Sequence, residues 1–352
     1  MTIELLGEYT SGRIADWLDA CQGMRARLDS MRGTVLVAHH GDCDGIVGGG
    51  LLGRYLGDRG LAVRYASAAE FRSGDYPYFH EESGACETGV FVEAQGMPPE
   101  YRRFDAKFLN IDHHPHPPEP IISRMLNPRT FEIEPNPAIG FLIYEILSDA
   151  LPHGAAWLAA LASIVDYCPL PARPLESREA AHLLKIDELR DTFLASQYVL
   201  PFTTELAALI ATMPSPDQLL AAEPFRSRRI LFAGKISDAM ANATNEAGLV
   251  VARTRAGEFR IASPLANRLS DRHPSKCVVV IEESDDTSRL SVRQRRAGVN
   301  VGRILGEIVT RLGSGDGTGH EKAGSARISS SQVDEFLRIL EEKIEQHDTP
   351  GS

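Results

Sequence analysis

The feature that most constrains this chain is a recurring order of short apolar runs, polar turns and helix-patterned segments. Thr34-Val35-Leu36-Val37-Ala38 is β-rich, ends in a glycine-bearing polar turn, and leads into a helical pattern through Leu51, Leu52 and Tyr55. Two further runs, Val90-Phe91-Val92 and Phe108-Leu109-Asn110-Ile111, each precede a turn, and Gly140 to Leu147 and Ala155 to Val165 read as apolar helices. Such alternation predicts an α/β fold with a mostly parallel sheet covered by helices. Ligands of such sheets gather beyond the carboxyl ends of the strands, so the residues just after each run are the ones to inspect.

From about residue 176 to 245 the pattern is helical and more charged, and Pro201, Pro214, Pro216 and Pro224 divide it. The last third changes character. Gly248 to Val251, Cys277 to Ile281 and Leu290 to Arg293 are strand-like, a helix is expected over Val301 to Leu312, and another closes the chain around Val333 to Ile344. With 352 residues, about two cores are expected. The expected division is a catalytic domain over 1–195, a helical connector over 196–245 and a smaller α/β domain over 246–352.

The formal net charge of −11 argues against tight, sequence-independent binding to long nucleic acid, because that affinity comes largely from many Lys and Arg contacts that release counterions. A short anionic substrate held by metals remains compatible. No apolar run approaches the roughly 18 residues of a membrane span, and the N-terminus lacks a signal-peptide profile, so a soluble, cytoplasmic protein without membrane contact is expected. Five scattered cysteines without a CxxC pair are expected to be reduced structural thiols.

After the first run comes His40-Gly41-Asp42-Cys43-Asp44-Gly45. In an extended segment alternate side chains share a face, so one imidazole and two carboxylates would converge on a divalent ion. The competing reading is an acidic turn that caps the next helix. The third run ends in Asp112-His113-His114, at an equivalent strand end, and Asp166 closes the apolar segment Ala162-Ser163-Ile164-Val165. A carboxylate-rich set with few imidazoles and no thiolate favours paired Mn²⁺ or Mg²⁺ over zinc. Near the C-terminus, a glycine-rich tract from Gly313 to His320 precedes Ala323-Gly324; it lacks the GxxxxGK[ST] pattern of a P-loop.

The ordered set, HxDxDG after the first strand, DHH after a later one, a following Asp and a terminal Gly-rich GxGHxxAG, resembles the DHH/DHHA1 phosphoesterases, which include RecJ-type exonucleases, nanoRNases and cyclic-dinucleotide phosphodiesterases. The resemblance spans about Val35 to Ile328. It implies that His40 and Asp42 hold one Mn²⁺ while Asp44, His113 and Asp166 hold the other, with Asp112 orienting His113 and His114 facing the substrate phosphate. Family members usually carry a further Asp bridging both ions at the end of the strand before DHH. Here Val92 is followed by Glu93, which is the candidate bridge. In the C-terminal domain, Gly315, Gly317 and Gly319 would let backbone N–H groups approach the substrate, and His320 and Arg293 would supply hydrogen bonds and charge. The tract departs from the common GGGHxxAAG form at Asp316 and Thr318.

The implied activity is metal-dependent hydrolysis of short oligonucleotides or dinucleotides to nucleoside monophosphates. The alternatives are a single-strand exonuclease, a hydrolase of cyclic dinucleotides or other phosphoester and phosphoanhydride substrates, and a catalytically weakened binding protein. A homodimer is compatible with the sequence.

Overall fold

In the computed structural model the described residues are 9, 11–67, 84–94, 97, 99–116, 119–166, 182–197, 199, 201–212, 215–246, 248–255, 257–295, 298–319 and 321–348. The chain divides into two units, Met1–Arg229 and Ile230–Ser352. The division falls inside one helix, Phe225–Ala241.

The first unit opens with helix α1 (Ile14–Ser30), absent from the sequence reading, whose buried residues Trp17, Cys21, Met24 and Leu28 recur at three- and four-residue spacing. Strand β1 (Thr34–His39) lies between β2 (Ala62–Ser67) and β3 (Thr88–Val92), and β4 (Phe108–Ile111) and β5 (Met125–Leu126) extend the sheet. The order is β2-β1-β3-β4-β5 and every pairing is parallel, as the alternating pattern predicts. Strand β2 escapes the search for apolar runs because it is an edge strand whose first four residues are exposed or half-buried.

Strand β1 shows why both faces of the sheet are covered. Val35 and Val37 enter the main core, with residues of α1, α2 (Cys43–Asp58), α3 (Ile139–Leu147) and α4 (Ala156–Val165). Leu36 and Ala38 point the other way, into a cluster with Phe91, Tyr101 and Phe108. Helix α2 lies close to its neighbours, and this accounts for Gly48-Gly49-Gly50. A Cβ at Gly49 would stand 2.9 Å from His39 Cβ, and one at Gly50 would stand 2.5 Å from Ile210 Cγ2. Each glycine costs a helix interior about 1 kcal/mol relative to Ala, so close approach is what they provide.

Strand order reverses at β1 and β3, whose carboxyl ends therefore flank the crevice where an open parallel sheet takes its ligands. Among the described residues from 182 to 241 the chain forms the helices α5 (Ile186–Ser196), α6 (Phe202–Ile210), α7 (Pro216–Ala221) and α8 (Phe225–Ala241). Pro201 directly precedes α6 and Pro216 opens α7, positions where a missing N–H costs nothing.

The second unit holds a six-stranded sheet of order β10-β11-β9-β8-β7-β6, made of β6 (Thr244–Glu246), β7 (Leu249–Arg255), β8 (Cys277–Glu283), β9 (Thr287–Arg293), β10 (Asp316–Gly319) and β11 (Ala323–Ser329). Only β7 and β8 pair in parallel. Its helices are α9 (Ala262–Arg272), α10 (Val301–Leu312) and α11 (Val333–Asp348), and residues of α10 and α11 pack with the strands in a separate core. Among the described residues no helix is long and apolar enough to cross a membrane.

Candidate metal centre

The turn after β1 serves as cap and ligand cradle at once. His40 N–H donates to Val92 O at 3.0 Å, prolonging the β1/β3 ladder by one residue. Asp42 then caps α2: its Oδ1 accepts from Gly45 N at 3.0 Å, while Oδ2 lies 2.8 Å from Nδ1 of His40. Each carboxylate oxygen serves one of the two readings that the sequence leaves open. The means of convergence differs from the extended segment expected there, because Cys43 and Asp44 already belong to α2. Gly45 permits the tight return: a Cβ there would stand 2.8 Å from the carbonyl oxygen of His40.

Asp44 is buried and its carboxylate spans two elements. Oδ2 accepts from Ile139 N and Oδ1 from Gly140 N, both at 2.7 Å. These amides open α3, whose preceding residue Ala138 has no side chain able to cap it.

The turns after β3 and β4 complete the cluster. Glu93 follows β3 with a left-handed backbone, φ +60°, and its N–H donates to Ile111 O at 2.8 Å. A non-glycine residue held there is strained by about 1–3 kcal/mol and needs surrounding structure to hold it. The side chain is buried, with Oε1 3.9 Å from His40 Nδ1 and 3.7 Å from His113 Nε2. His113 donates from Nδ1 to the carbonyl of Pro137 at 2.8 Å, which leaves Nε2 as the free ligand atom, 4.0 Å from Asp166 Oδ2. Asp166 ends α4, its N–H donating to Ala162 O.

Asp112 does not hold His113, as the resemblance implies. It holds His114, accepting from both its backbone N–H and its Nδ1 at 3.0 Å. Polar side chains distant in sequence fix the DHH backbone: Arg129 Nε and Asn136 Nδ2 donate to His113 O, and Asn127 Nδ2 donates to His114 O. No spacing around residues 112–114 announces these partners or the Pro137 carbonyl.

Three overlapping groups result, each with ligand atoms within 4.8 Å of one another: His40, Asp42 and Glu93; Glu93, His113 and His114; and Asp44, His113 and Asp166. Glu93 and His113 each belong to two groups. Burial and then the neighbouring Asp42, Asp44 and Asp166 carboxylates push the Glu93 carboxyl well above its ordinary range. Burial also acts against the Asp42 anion, but the His40 imidazole outweighs it and holds Asp42 well below the usual value. Glu93 and Asp42 lie within hydrogen-bonding reach of each other, a pairing of two acids that needs a proton or a cation between them. Burial raises the Cys43 thiol well above its ordinary value and the surrounding carboxylates raise it further, so it stays protonated beside the cluster. Four carboxylates with imidazole nitrogens and no thiolate fit hard or borderline divalent ions.

In the second unit, Arg293 is engaged within its own domain, donating to Asn267 Oδ1 at 2.6 Å, Ser263 Oγ at 2.8 Å and Val292 O at 3.0 Å. Within the glycine-rich tract, Asp316–Gly319 forms strand β10, antiparallel to β11. A Cβ at Gly315 would stand 2.2 Å from Arg327 O, one at Gly317 3.1 Å from Leu305 O, and one at Gly319 2.5 Å from Ala323 O, so close backbone packing accounts for these three glycines. His320 lies outside the described residues.

Residues 246–346 match the family model of the DHHA1 domain. No curated protein sequence matches the chain. Among solved structures, RecJ from Thermus thermophilus in complex with Mn²⁺ superimposes with a TM-score of 0.61 at 15% identity, covering 94% of this chain and 55% of that one. This chain thus spans about half the length of that protein. A manganese-bound exonuclease RecJ gives a TM-score of 0.57 at 17% identity, with 93% and 94% of the two chains covered. The pGpG-specific phosphodiesterase PggH from Vibrio cholerae gives 0.55 at 14% identity, with 89% and 99% covered. At these identities the likenesses establish the fold.

Proposed function

We propose that this chain, a member of the DHH/DHHA1 family by its motifs, its DHHA1 domain and its fold, is a divalent-metal-dependent phosphodiesterase that hydrolyses short oligonucleotides or dinucleotides to nucleoside monophosphates. The observation that carries the reading is the convergence, at the carboxyl ends of β1, β3 and β4, of ligand groups that share Glu93 and His113. His40, Asp42 and Glu93 would hold one ion, and Asp44, His113 and Asp166 the other, with Glu93, whose Oε1 stands 3.7 Å from His113 Nε2, the candidate to be shared between them. Mn²⁺ is the expected ion and Mg²⁺ the alternative. When bound, such ions acidify an attacking water and neutralise charge on the phosphodiester.

The chain's own residues supply position. Asp112 fixes Nδ1 of His114, which turns Nε2 to a non-bridging phosphate oxygen or lets it give a proton to the departing oxygen. Pro137 O fixes the tautomer of His113, and α3 keeps Asp44 in place. A net charge of −11 supports a short substrate over a long strand.

The test is to incubate the purified chain, metal-stripped or with Mn²⁺ or Mg²⁺, with dinucleotides, longer single strands, cyclic dinucleotides and bis(p-nitrophenyl) phosphate. Dinucleotides are expected to turn over fastest, and only with metal. Preferential attack on long strands, with steeply salt-dependent affinity, would establish an exonuclease instead. Absence of both metal binding and turnover would leave a binding protein.

A further inference from the structure

The backbone that carries His113 and His114 is gripped by a single 3₁₀ turn, Pro128–Phe131. Arg129 Nε reaches His113 O at 2.7 Å, and Asn127, which caps this turn, reaches His114 O through Nδ2 at 2.9 Å. Four residues of 3₁₀ helix have poor hydrogen-bond geometry and leave their last carbonyls without partners inside the helix, so such a turn takes its rigidity from what it rests on. Pro128 is buried, whereas Arg129 and Thr130 are exposed.

The support comes from the segment that opens α1. Ser11 Oγ donates to Phe131 O at 2.7 Å and Arg13 Nη1 donates to Thr130 O at 2.8 Å, across 120 and 117 residues of sequence, and these are two of the carbonyls at the end of the turn. The Arg13 guanidinium also lies over the Phe131 ring, 5.2 Å from its centroid, and Trp17 of α1 packs against the same ring at 5.6 Å. Local contacts aim the two donors: Ser11 Oγ accepts from Arg13 N at 2.9 Å, and Asp16 Oδ2 accepts from Arg13 Nε at 3.2 Å. Thr130 returns the link towards the site, its Oγ1 standing 3.0 Å from Nε2 of His116, two residues beyond His114. The side chains of Arg13 and Asp16 are 45% and 62% exposed, and an ion pair so open to water adds little to stability.

We propose that Arg13 is a positioning residue for the metal centre: by fixing Thr130 and Phe131 it holds Arg129 and Asn127 against the carbonyls of His113 and His114, and so keeps both imidazoles in place. Groups that orient a metal ligand from outside change affinity or activity by about 10–100-fold when altered, and one that acts through a further contact belongs at or below the lower end. The inference rests on the phosphodiesterase reading for its effect on turnover, while its effect on metal binding needs no reaction.

The test compares the full chain with Arg13→Ala, Arg13→Lys and Arg129→Ala, by calorimetric titration with Mn²⁺ and by turnover of bis(p-nitrophenyl) phosphate. Arg13→Ala is expected to weaken Mn²⁺ binding about fivefold and to lower kcat about tenfold, with KM within about twofold and the urea unfolding midpoint unchanged. Arg13→Lys keeps a donor and a cation over the Phe131 ring and should recover most of both losses. In a chain already carrying Arg129→Ala, the Arg13→Ala change should cost no more than about twofold, because the charge-assisted link to the ligand turn is gone. Unchanged Mn²⁺ affinity and kcat in Arg13→Ala, a loss that merely follows a lowered unfolding midpoint, or an undiminished loss in the Arg129→Ala background would each overturn the proposal, as would a chain that binds no Mn²⁺. A chain that binds Mn²⁺ but turns nothing over would instead sink the phosphodiesterase reading, and Mn²⁺ affinity then decides the role of Arg13.

Discussion

Oε1 of Glu93 lies 3.7 Å from Nε2 of His113, joining the turn after β3 to the turn after β4 across the mouth of the sheet. Both residues belong to two of the three ligand groups, so this contact links the His40–Asp42 side of the cluster to the Asp44–Asp166 side.

Glu93→Gln is therefore expected to bind about one metal ion fewer per chain and to lose at least about a hundredfold in activity, since the amide keeps the shape but loses the charge needed between two cations. Glu93→Asp should retain both, because it keeps the anion and Asp tolerates a left-handed backbone better than Glu. Metal content by mass spectrometry, with turnover in parallel, checks the pair. Full metal loading in the Gln variant would remove Glu93 from the centre.

Asp44 and Asp166 should separate ligation from stability. Asp44→Ala is expected to lose metal and also about 1–3 kcal/mol of stability, because two amides at the start of α3 lose their acceptor in a buried place. Asp166, with a side chain 29% exposed, should lose metal on change to Ala while stability moves by no more than about 0.5 kcal/mol. Denaturant melts of the metal-free variants read the difference, and equal destabilisation would contradict it.

Gly45→Ala should displace the ligand His40 without replacing any ligand side chain. The added methyl would stand 2.7 Å from His40 Cβ and 2.8 Å from its carbonyl oxygen, so the turn must open. A stability loss of about 1–3 kcal/mol and weaker metal binding are expected. Normal affinity in titration calorimetry would show that the turn can adjust.

His39 gives the metal-free protein an acid limit. It is fully buried, and its Nδ1 donates to His40 O at 2.7 Å. Burial lowers its pKa from 6.5 to about 4, with the neighbouring His40 adding to the depression against weaker opposing effects. The folded state thus binds the proton less readily than the unfolded chain. The stability from the neutral ring is present above about pH 6.5 and is lost as pH falls towards about 4, by about 3 kcal/mol at most. In His39→Asn, which keeps a donor for the His40 carbonyl, this part of the acid loss should vanish. Parallel pH-melt curves for the two proteins would refute the assignment.

Much of this arrangement was legible in the sequence. Alternation of apolar runs with helical segments determined the parallel sheet of the first unit, the rule that such sheets bind at strand ends pointed to His40, Asp42, Asp44 and His113, Asp166 was marked by the end of an apolar segment, and Glu93 came from the family resemblance; the structure brings all six together. These are local signals, carried by period and spacing. What tertiary structure alone decided depends on residues far apart in the chain. Asp44 finds its amide partners 95 and 96 residues later, and His113 finds its carbonyl 24 residues later. The hydrogen bond from His114 to Asp112, two residues apart, is local, but no spacing in the sequence told it from one to His113. Asp316–Gly319 of the glycine-rich tract is a strand because β11 offers a partner. The left-handed turn at Glu93 likewise follows from neighbours that meet only when strands pair, and no periodicity along a single segment encodes it.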